Sequence, residues 1–337
     1  MRLLVVVMLV LALGACKPKA PPKPAIGPLC FVETMTQYEA EENVRALKPE
    51  AWFALVLRDY DLWTGAVKRP VRDCSGQEVR APELLGECVE TEAPIKMKPP
   101  HALTKEDLVV TKGPGNQWIV WIQVEHLEDG EAIGPVALAA FSHKGASVNA
   151  LGSLRAKRRR ARLRLEKVGK TPVLVAEGDC EKDDPSRCKS AIRVLPLRND
   201  YFLNEPLTLA AGEAEGQCLG PAAFVTQRTE RVDLDSGWER RFEQTSSLTF
   251  ETEQMTLHEQ VVASDADPRQ PGVPPRLFRK ADAERTIKIA PKRLAVSGPS
   301  LWVGMLRAAG ALKKKEGRHE VIERGNLPPV KVNVPGG

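Results

Sequence analysis

The stretch Trp118-Ile-Val-Trp-Ile-Gln-Val124 decides the fold class, because it is made almost entirely of β-branched and aromatic residues, which favour β-strands. Its apolar residues occupy both odd and even positions, so both faces of the strand are expected to be buried. Similar short runs follow it and are separated by glycines. They lie at 136–141, 161–167, 172–176, 191–197 and 201–209. This spacing predicts an antiparallel meander.

Longer and more polar strands are predicted beyond residue 222. The segments are 224–234, 238–250, 253–264 and 277–289. In the second segment, Phe242, Leu248 and Phe250 are an even number of residues apart, so they are expected to share one face of a strand. The whole pattern predicts a mainly β protein, arranged as an antiparallel meander or sandwich or as open barrel-like sheets. Few short helices are expected, together with disulfide bonds.

Helical signals are few, and the N-terminal part is rich in loops. A short helix is predicted at 39–47 and a weaker one at 300–315, where Gly304 and Gly310 interrupt the pattern. The apolar run 52–57 is predicted to be a strand. Proline- and glycine-rich stretches between 96 and 116 predict a boundary between a loop-rich subdomain, 29–105, and a β-rich domain, 106–337.

The N-terminus carries a positively charged start, Met1-Arg2, an apolar run at 3–13, and the sequence Leu13-Gly14-Ala15-Cys16. About eleven apolar residues are too few for a helix that crosses a bilayer, which needs ~20. They match the apolar region of a secretory signal. The segment resembles the lipobox of bacterial lipoproteins. The resemblance implies that residues 1–15 are a signal peptide and that Cys16 is lipidated.

The residues after Cys16 bear on where the protein is held. Lys17 stands where an aspartate is associated with inner-membrane retention, so the resemblance implies the outer membrane of the cell envelope. Residues 17–28 contain five prolines and three lysines. Such a composition favours extended conformations at ~3.1 Å per residue. Segment 16–28 is therefore predicted to be a lipidated tether, or a disordered tail with no spacing role.

Six further cysteines are expected to form disulfides, because exported proteins keep them oxidised. Cys180 and Cys188 flank a polar, turn-rich loop between two predicted strands, so we predict that they are bonded to each other. Cys74 and Cys88, around a Ser-Gly turn, are the next candidate pair. That pairing leaves Cys30 and Cys218 for a third bond, although six cysteines allow fifteen pairings.

The sequence contains no catalytic constellation, and the protein is not expected to be an enzyme. The five histidines are far apart in the chain and form no zinc-binding pair of the HExxH type. No metal or other cofactor is predicted, and acidic loops near 179–184 and 233–235 are interpreted as solvated turns. The net charge of +5 is small and well mixed, so no nucleic-acid partner is expected.

The strongest charge feature is an arginine row. Arg160, Arg162 and Arg164 alternate with Ala161, Leu163 and Leu165, so the arginines are expected on one strand face and the apolar residues on the other. One interpretation is a solvated sheet face that discourages aggregation. The other is a weak anion-binding patch for phosphate-bearing lipids or acidic glycans.

These features favour a membrane-anchored, non-catalytic lipoprotein of the envelope that acts as a binding or scaffolding module. Its partner, whether protein, lipid or glycan, is open. A different class of function is a carrier in which a curved β-sheet shields a lipid or small apolar ligand. An envelope hydrolase is the third hypothesis, and it requires a pocket that gathers a histidine, a carboxylate and a serine from distant segments.

Overall fold

The computed structural model describes residues 30–32, 47–80, 96–128, 130–142, 145–158, 161–178, 189–210, 215–234, 236–308, 312–316, 319–324 and 327–333. The described residues form a mainly β protein with helices α1 (Pro49–Val56) and α2 (Leu301–Ala308). The described strands are β1 (Cys30–Val32), β2 (Leu108–Lys112), β3 (Gln117–Ile122), β4 (Glu125–His126), β5 (Glu131–Ser142), β6 (Gly145–Lys157), β7 (Arg162–Val168), β8 (Thr171–Gly178), β9 (Lys189–Arg198), β10 (Tyr201–Phe202), β11 (Pro206–Leu209), β12 (Cys218–Pro221), β13 (Ala223–Asp233), β14 (Glu239–Phe250), β15 (Met255–Ala266), β16 (Arg276–Ala290), β17 (Arg293–Val296), β18 (Leu312–Glu316), β19 (His319–Arg324) and β20 (Leu327–Asn333).

The strands form one large open sheet and a small three-stranded sheet, β18-β19-β20. In the large sheet, β2, β3, β5 and β6 are antiparallel neighbours and constitute what we call the front sheet. Strands β7-β8-β9-β13-β14-β15-β16-β17-β11-β12 constitute what we call the curved sheet. The two are joined by β10, which pairs in parallel with β6 and antiparallel with β9. Parallel pairs at β10–β6 and β11–β17 make the large sheet mixed.

The front sheet packs face to face against β7, β8 and β9, as in a β-sandwich. The core between them contains Trp121, Val136, Leu154, Leu174 and Leu195. Each of these strands has a second apolar face. Because both faces of β3 are buried, its sequence does not alternate between apolar and polar residues. A separate cluster lines the inner face of the curved sheet, and a third lies under α1.

Helix α1 replaces the strand that the sequence predicts at 52–57, so that prediction is wrong. Pro49 lies in the first turn and Glu50 follows it, and both residue types suit a helix N-terminus. The helix buries Trp52 and Phe53 against the outer face of the front sheet. The cluster around α1 also contains front-sheet residues, so it joins both sides of the predicted boundary at 105.

Most other elements agree with the sequence-based predictions. The strand predicted at 118–124 is confirmed as β3, and the one at 136–141 lies within β5. The predicted strands between 161 and 197 correspond to β7, β8 and β9, and those between 224 and 289 correspond to β13 to β16. Segment 201–209 is two short strands, β10 and β11, and the C-terminal helix is limited to α2. Strand β6 is not predicted, because Gly145, Gly152 and small residues weaken its pattern. Gly152 is required there, since a Cβ atom would come within 2.7 Å of Phe202 on β10. The predicted helix at 39–47 lies almost wholly outside the described residues.

The disulfide pattern differs from the prediction. Cys30 is bonded to Cys74, with their Cα atoms 6.0 Å apart. The predicted pairs Cys74–Cys88 and Cys30–Cys218 are therefore wrong. The reason is tertiary, because β1 runs along β6 beside α1 and so meets the turn that carries Cys74. Cys218 is also disulfide-bonded, to neither Cys30 nor Cys74. Cys16, Cys88, Cys180 and Cys188 lie outside the described residues.

None of the described helices is long and apolar enough to cross a membrane.

Candidate functional site

The inner face of the curved sheet is apolar at both ends and charged in the middle. On β15, alternate residues face inward, and Met255, Leu257, Val261 and Ala263 are all almost fully buried. Glu259 lies between them on the same face and is only 4% exposed. Its side chain contacts Gln244 on β14 and Arg285 on β16, and these residues form what we call the polar layer. The polar layer separates two apolar clusters.

Glu259 is paired with Arg285 of β16. The Nη2 atom of Arg285 donates to Glu259 Oε1 at 2.9 Å, and its Nε atom is 2.8 Å from Oε2. The same carboxylate accepts hydrogen bonds of 3.3 Å from Ser300 Oγ and from the backbone N–H of Leu301, the first residue of α2. A carboxylate is favoured at a helix N-terminus. The charge of Glu259 is thus compensated by Arg285 and by the start of α2.

Arg228 of β13 is the second cation of this layer, and it has a different environment. Its Nε atom donates to Gln244 Oε1 at 2.8 Å, and its guanidinium lies 3.8 Å from the centroid of the Trp302 ring on α2. Across the described part of the chain, no carboxylate lies within ion-pair distance of Arg228. Burial lowers the pKa of the Arg228 guanidinium to about 9, against the opposing influence of Glu259 and Glu230. The group is therefore protonated at neutral pH, with less anionic compensation than Arg285 has.

A cavity of about 220 Å³ opens beside these groups. Strands β11 to β16 and the first residues of α2 surround it, so its walls combine apolar side chains with the polar layer. The lining residues are Leu207, Cys218, Leu219, Pro221, Ala223, Phe224, Val225, Arg228, Gln244, Leu257, Glu259, Arg285, Ser300, Trp302 and Val303. An apolar pocket with a few convergent polar groups is the usual form of a small-molecule site.

The chemistry of this cavity suits binding. The guanidinium of Arg228 can pair with an anionic group of a ligand, and Leu207, Phe224 and Leu257 can make apolar contacts with it. The described lining residues include no histidine, and Ser300 donates to a carboxylate that Arg285 already holds. The combination of a serine with a histidine and a carboxylate that a hydrolase requires is not found among these residues.

The structure describes part of the predicted arginine row. Leu163 is buried in the sandwich core and Ala161 and Leu165 pack against it, as the alternation predicts. Arg164 is on the opposite face, where Glu166 Oε1 is 2.8 Å from its Nε atom and Glu177 pairs with its Nη1 atom. Arg162 is exposed but has a partner of its own, and Arg160 lies outside the described residues. The anion-binding interpretation stays a prediction, and the two glutamates beside Arg164 weaken it.

The residues of the polar layer are missed by the sequence analysis, although a signal for Glu259 is present. In the run Met255 to Ala263, every second residue except Glu259 is apolar. A charged residue inside an apolar face predicts a buried partner, because an unpaired buried charge is costly. The identity of that partner, Arg285, depends on strand register and is not encoded locally.

Two of the five histidines, although far apart in the chain, come together in the structure. His101 and His126 stack with their ring centroids 4.1 Å apart, beside the buried carboxylate of Asp107. His258 lies on the exposed face of β15, 3.4 Å from Glu284.

No protein-family model matches this chain, no curated protein matches its sequence, and no solved structure matches its fold. Function must therefore be argued from the geometry and chemistry of its sites.

Proposed function

We propose that this protein is a membrane-anchored, non-catalytic binding module of the cell envelope. Its ligand is a small molecule with an anionic group and an apolar body, which the curved sheet takes up in the cavity beside Arg228. The observation that carries the proposal is the contrast between the two inward-facing arginines. Arg285 is neutralised by Glu259, whereas Arg228 has only a neutral amide and an aromatic ring as partners.

The burial of Arg228 costs free energy, and binding of an anion would offset that cost. Placing a cation in a partly buried site loses hydration, and the lowered pKa of Arg228 reports that loss. A carboxylate or phosphate that enters the cavity restores the missing charge partner, and a guanidinium can hold it through two hydrogen bonds. The stacked Trp302 ring fixes the orientation of the guanidinium in advance.

The size of the cavity limits the ligand. Its volume of about 220 Å³ is below the ~300–1,000 Å³ typical of sites for drug-sized molecules. A short acyl chain or a single ring with an acidic group suits this space better than a whole membrane lipid. Most of the remaining inner face of the curved sheet is filled by its own side chains.

A lipid carrier is the second candidate function. The observation in its favour is that the curved sheet is open and has an inner face with extensive apolar clusters. A carrier is expected to retain lipid through purification, which mass spectrometry of the detergent-extracted protein detects. A binding module of the first kind is expected to carry no stoichiometric lipid.

The anchoring part of the proposal is supported by the N-terminal sequence. The Leu13-Gly14-Ala15-Cys16 sequence, the preceding apolar run and the proline-rich residues 17–28 resemble a lipoprotein precursor. Lipidation at Cys16 would attach the chain to a leaflet, and Lys17 favours the outer membrane. More than one acyl chain is needed for durable attachment.

The test uses straight-chain carboxylates from butanoate to octanoate as probes, with thermal unfolding of the protein as the readout. A ligand that binds only the folded state raises the unfolding temperature with its concentration. We expect affinity to rise with chain length, at up to ~0.8 kcal/mol per added methylene, until the cavity is filled. Octylamine, which carries the opposite charge, is expected to give no shift.

Two variants make the test specific to the cavity. Arg228→Gln is expected to lose the response to octanoate. Arg231→Gln is the matched control, because Arg231 is on the same strand but its side chain is 45% exposed and next to Glu239. If octanoate and octylamine shift the wild-type protein equally, or if both variants respond like the wild type, the proposed function is wrong.

A further inference from the structure

A second site lies in the part of the chain around the front sheet, outside the cavity. It contains His101, Asp107 and His126, whose ligand atoms all lie within 4.8 Å of one another. Asp107 ends a short 3₁₀ turn, Lys105–Asp107, and His101 lies in the loop before that turn. His126 belongs to β4. Three different local structures therefore bring one ligand-bearing side chain each to one point.

The Asp107 carboxylate is fixed in place. It is 1% exposed, and its Oδ2 atom accepts hydrogen bonds from the backbone N–H and the hydroxyl of Thr104, at 2.9 and 3.1 Å. The Oδ1 atom is 2.9 Å from His126 Nε2, and Oδ2 is 3.3 Å from His101 Nε2. A carboxylate held by its own capping interaction has a defined orientation before any ligand arrives.

The two imidazoles have unsatisfied nitrogens. His126 is 8% exposed, and neither His126 Nε2 nor His101 Nε2 makes a hydrogen bond within the described structure, although both are close to Asp107. Both nitrogens nevertheless lie within 3.3 Å of the Asp107 carboxylate. A buried polar atom without a partner requires an explanation. A cation shared by the two nitrogens and the carboxylate provides one.

We propose that His101, Asp107 and His126 bind a divalent transition-metal ion, for which Zn²⁺ is the representative. Two imidazoles and one carboxylate are a ligand set that zinc accepts, with bonds of ~2.0–2.2 Å. In a tetrahedral site those bond lengths place ligand atoms ~3.3 Å apart. The two imidazole–carboxylate distances, 2.9 and 3.3 Å, are similar, and all three ligand atoms lie within 4.8 Å of one another. Three protein ligands leave one position open for water or for a group on a partner molecule. Nitrogen ligands exclude Mg²⁺ and Ca²⁺ as the preferred ions.

Arg158 adjusts the affinity of this site. Its Nη2 atom is 3.5 Å from Asp107 Oδ1, so the guanidinium competes with a metal ion for the same oxygen. It also places a positive charge near the cation. The affinity for Zn²⁺ is therefore expected to be lower than in a site without such a neighbour, and removal of Arg158 should raise it.

The test is equilibrium binding of Zn²⁺ to the full chain, with its disulfides intact and after treatment with a chelator. We expect one Zn²⁺ per chain, and a Co²⁺-loaded protein whose visible spectrum shows tetrahedral coordination. His101→Asn is the main variant, because the His101 side chain is 29% exposed and its replacement should leave the fold intact. Loss of a ligand should weaken binding by at least about tenfold, since even outer partners of a metal site contribute that much.

Two further variants complete the experiment. His258→Asn is the matched control, because His258 also lies beside a carboxylate, Glu284, but the described structure places no third ligand with them. It should bind Zn²⁺ like the wild type, and Arg158→Gln should bind more tightly. Circular dichroism of the metal-free proteins confirms that each is folded. If the wild type binds no stoichiometric Zn²⁺, or His101→Asn binds it unchanged, or Arg158→Gln binds more weakly, the proposal is wrong.

Discussion

The guanidinium of Arg228 lies over the indole ring of Trp302, with its central carbon 3.8 Å from the ring centroid. This contact joins strand β13 to the start of α2, and both residues line the cavity. Trp302 also meets Phe242 edge-on, with the ring centroids 6.2 Å apart. The cation at the proposed binding site is therefore positioned by the same aromatic side chain that packs α2 onto the sheet.

Arg228→Met should separate binding from stability. The substitution removes a cation that burial disfavours, as its lowered pKa indicates, but it also removes the hydrogen bond to Gln244 and the contact with Trp302. These effects oppose each other, so we expect the free energy of unfolding to change by no more than about 1 kcal/mol. Octanoate binding should be lost. Chemical denaturation and ligand titration measure the two quantities, and a large loss of stability would show that Arg228 is a structural residue.

Unlike Arg228, the Glu259–Arg285 pair should contribute strongly to stability. Both side chains are buried, so Glu259→Gln leaves Arg285 without its anion and should lower the free energy of unfolding by about 3–5 kcal/mol. The double variant Glu259→Leu/Arg285→Met removes both charges and should be less destabilised than either single variant. Urea denaturation of the wild type, Glu259→Leu, Arg285→Met and this double variant forms a double-mutant cycle. Additive losses in that cycle would contradict the pairing.

The Cys30–Cys74 bond should contribute about 2–4 kcal/mol to stability, because it closes a loop with a sequence separation of 44 residues. The variant Cys30→Ser/Cys74→Ser is expected to fold with a correspondingly lower unfolding temperature. Peptide mapping without reduction should recover Cys30 joined to Cys74. The same map tests the predicted Cys180–Cys188 bond, which a peptide joining Cys218 to either of them would contradict.

Cys16→Ser should abolish membrane attachment, because the Cys16 sulfur is the acylation site that the lipobox resemblance implies. Fractionation of cells should find the wild type with membranes and the variant in the soluble fraction. Incorporation of labelled palmitate provides the second measurement. Label that still enters the Cys16→Ser protein would refute the assignment.

Replacing Arg160, Arg162 and Arg164 together with Gln should have little effect on binding to anionic vesicles. Glu166 and Glu177 already compensate Arg164, so the row presents less positive charge than its sequence suggests. The measurement uses the unacylated Cys16→Ser chain at low salt, where the Debye length is longest. Binding that the wild-type row supports and the triple variant loses would instead establish an anion-binding patch.

The sequence predicts strands well where one face is apolar and the other is polar or where both are buried. The inward set Phe242, Leu248 and Phe250 is confirmed, since the first two are buried and the third packs against the inner cluster. Helix α1 is mistaken for a strand because Trp52 to Leu57 is apolar at every position, and a run of that length fits either structure.

The two sites are harder to predict because their residues meet only through tertiary structure. Arg228 and Trp302 are brought together by strand order and by the packing of α2, and neither is marked locally. His101 and His126 are separated by strands β2 and β3, so no spacing rule connects them. Cys30 and Cys74 illustrate the same limit, since pairing by proximity in sequence favoured different partners.

The Cys30–Cys74 crosslink also determines how the protein responds to mechanical tension from its N-terminal end. Force that arrives at Cys30 passes through the sulfur bridge directly to Cys74, so the chain between them, including α1, is shielded from the load. Reduction would route the load through the intervening residues, whose fully extended length is roughly 150 Å at ~3.4 Å per residue over the 44-residue separation. With the anchoring proposed at Cys16, the bridge would therefore limit how far the N-terminal part of the protein extends under load.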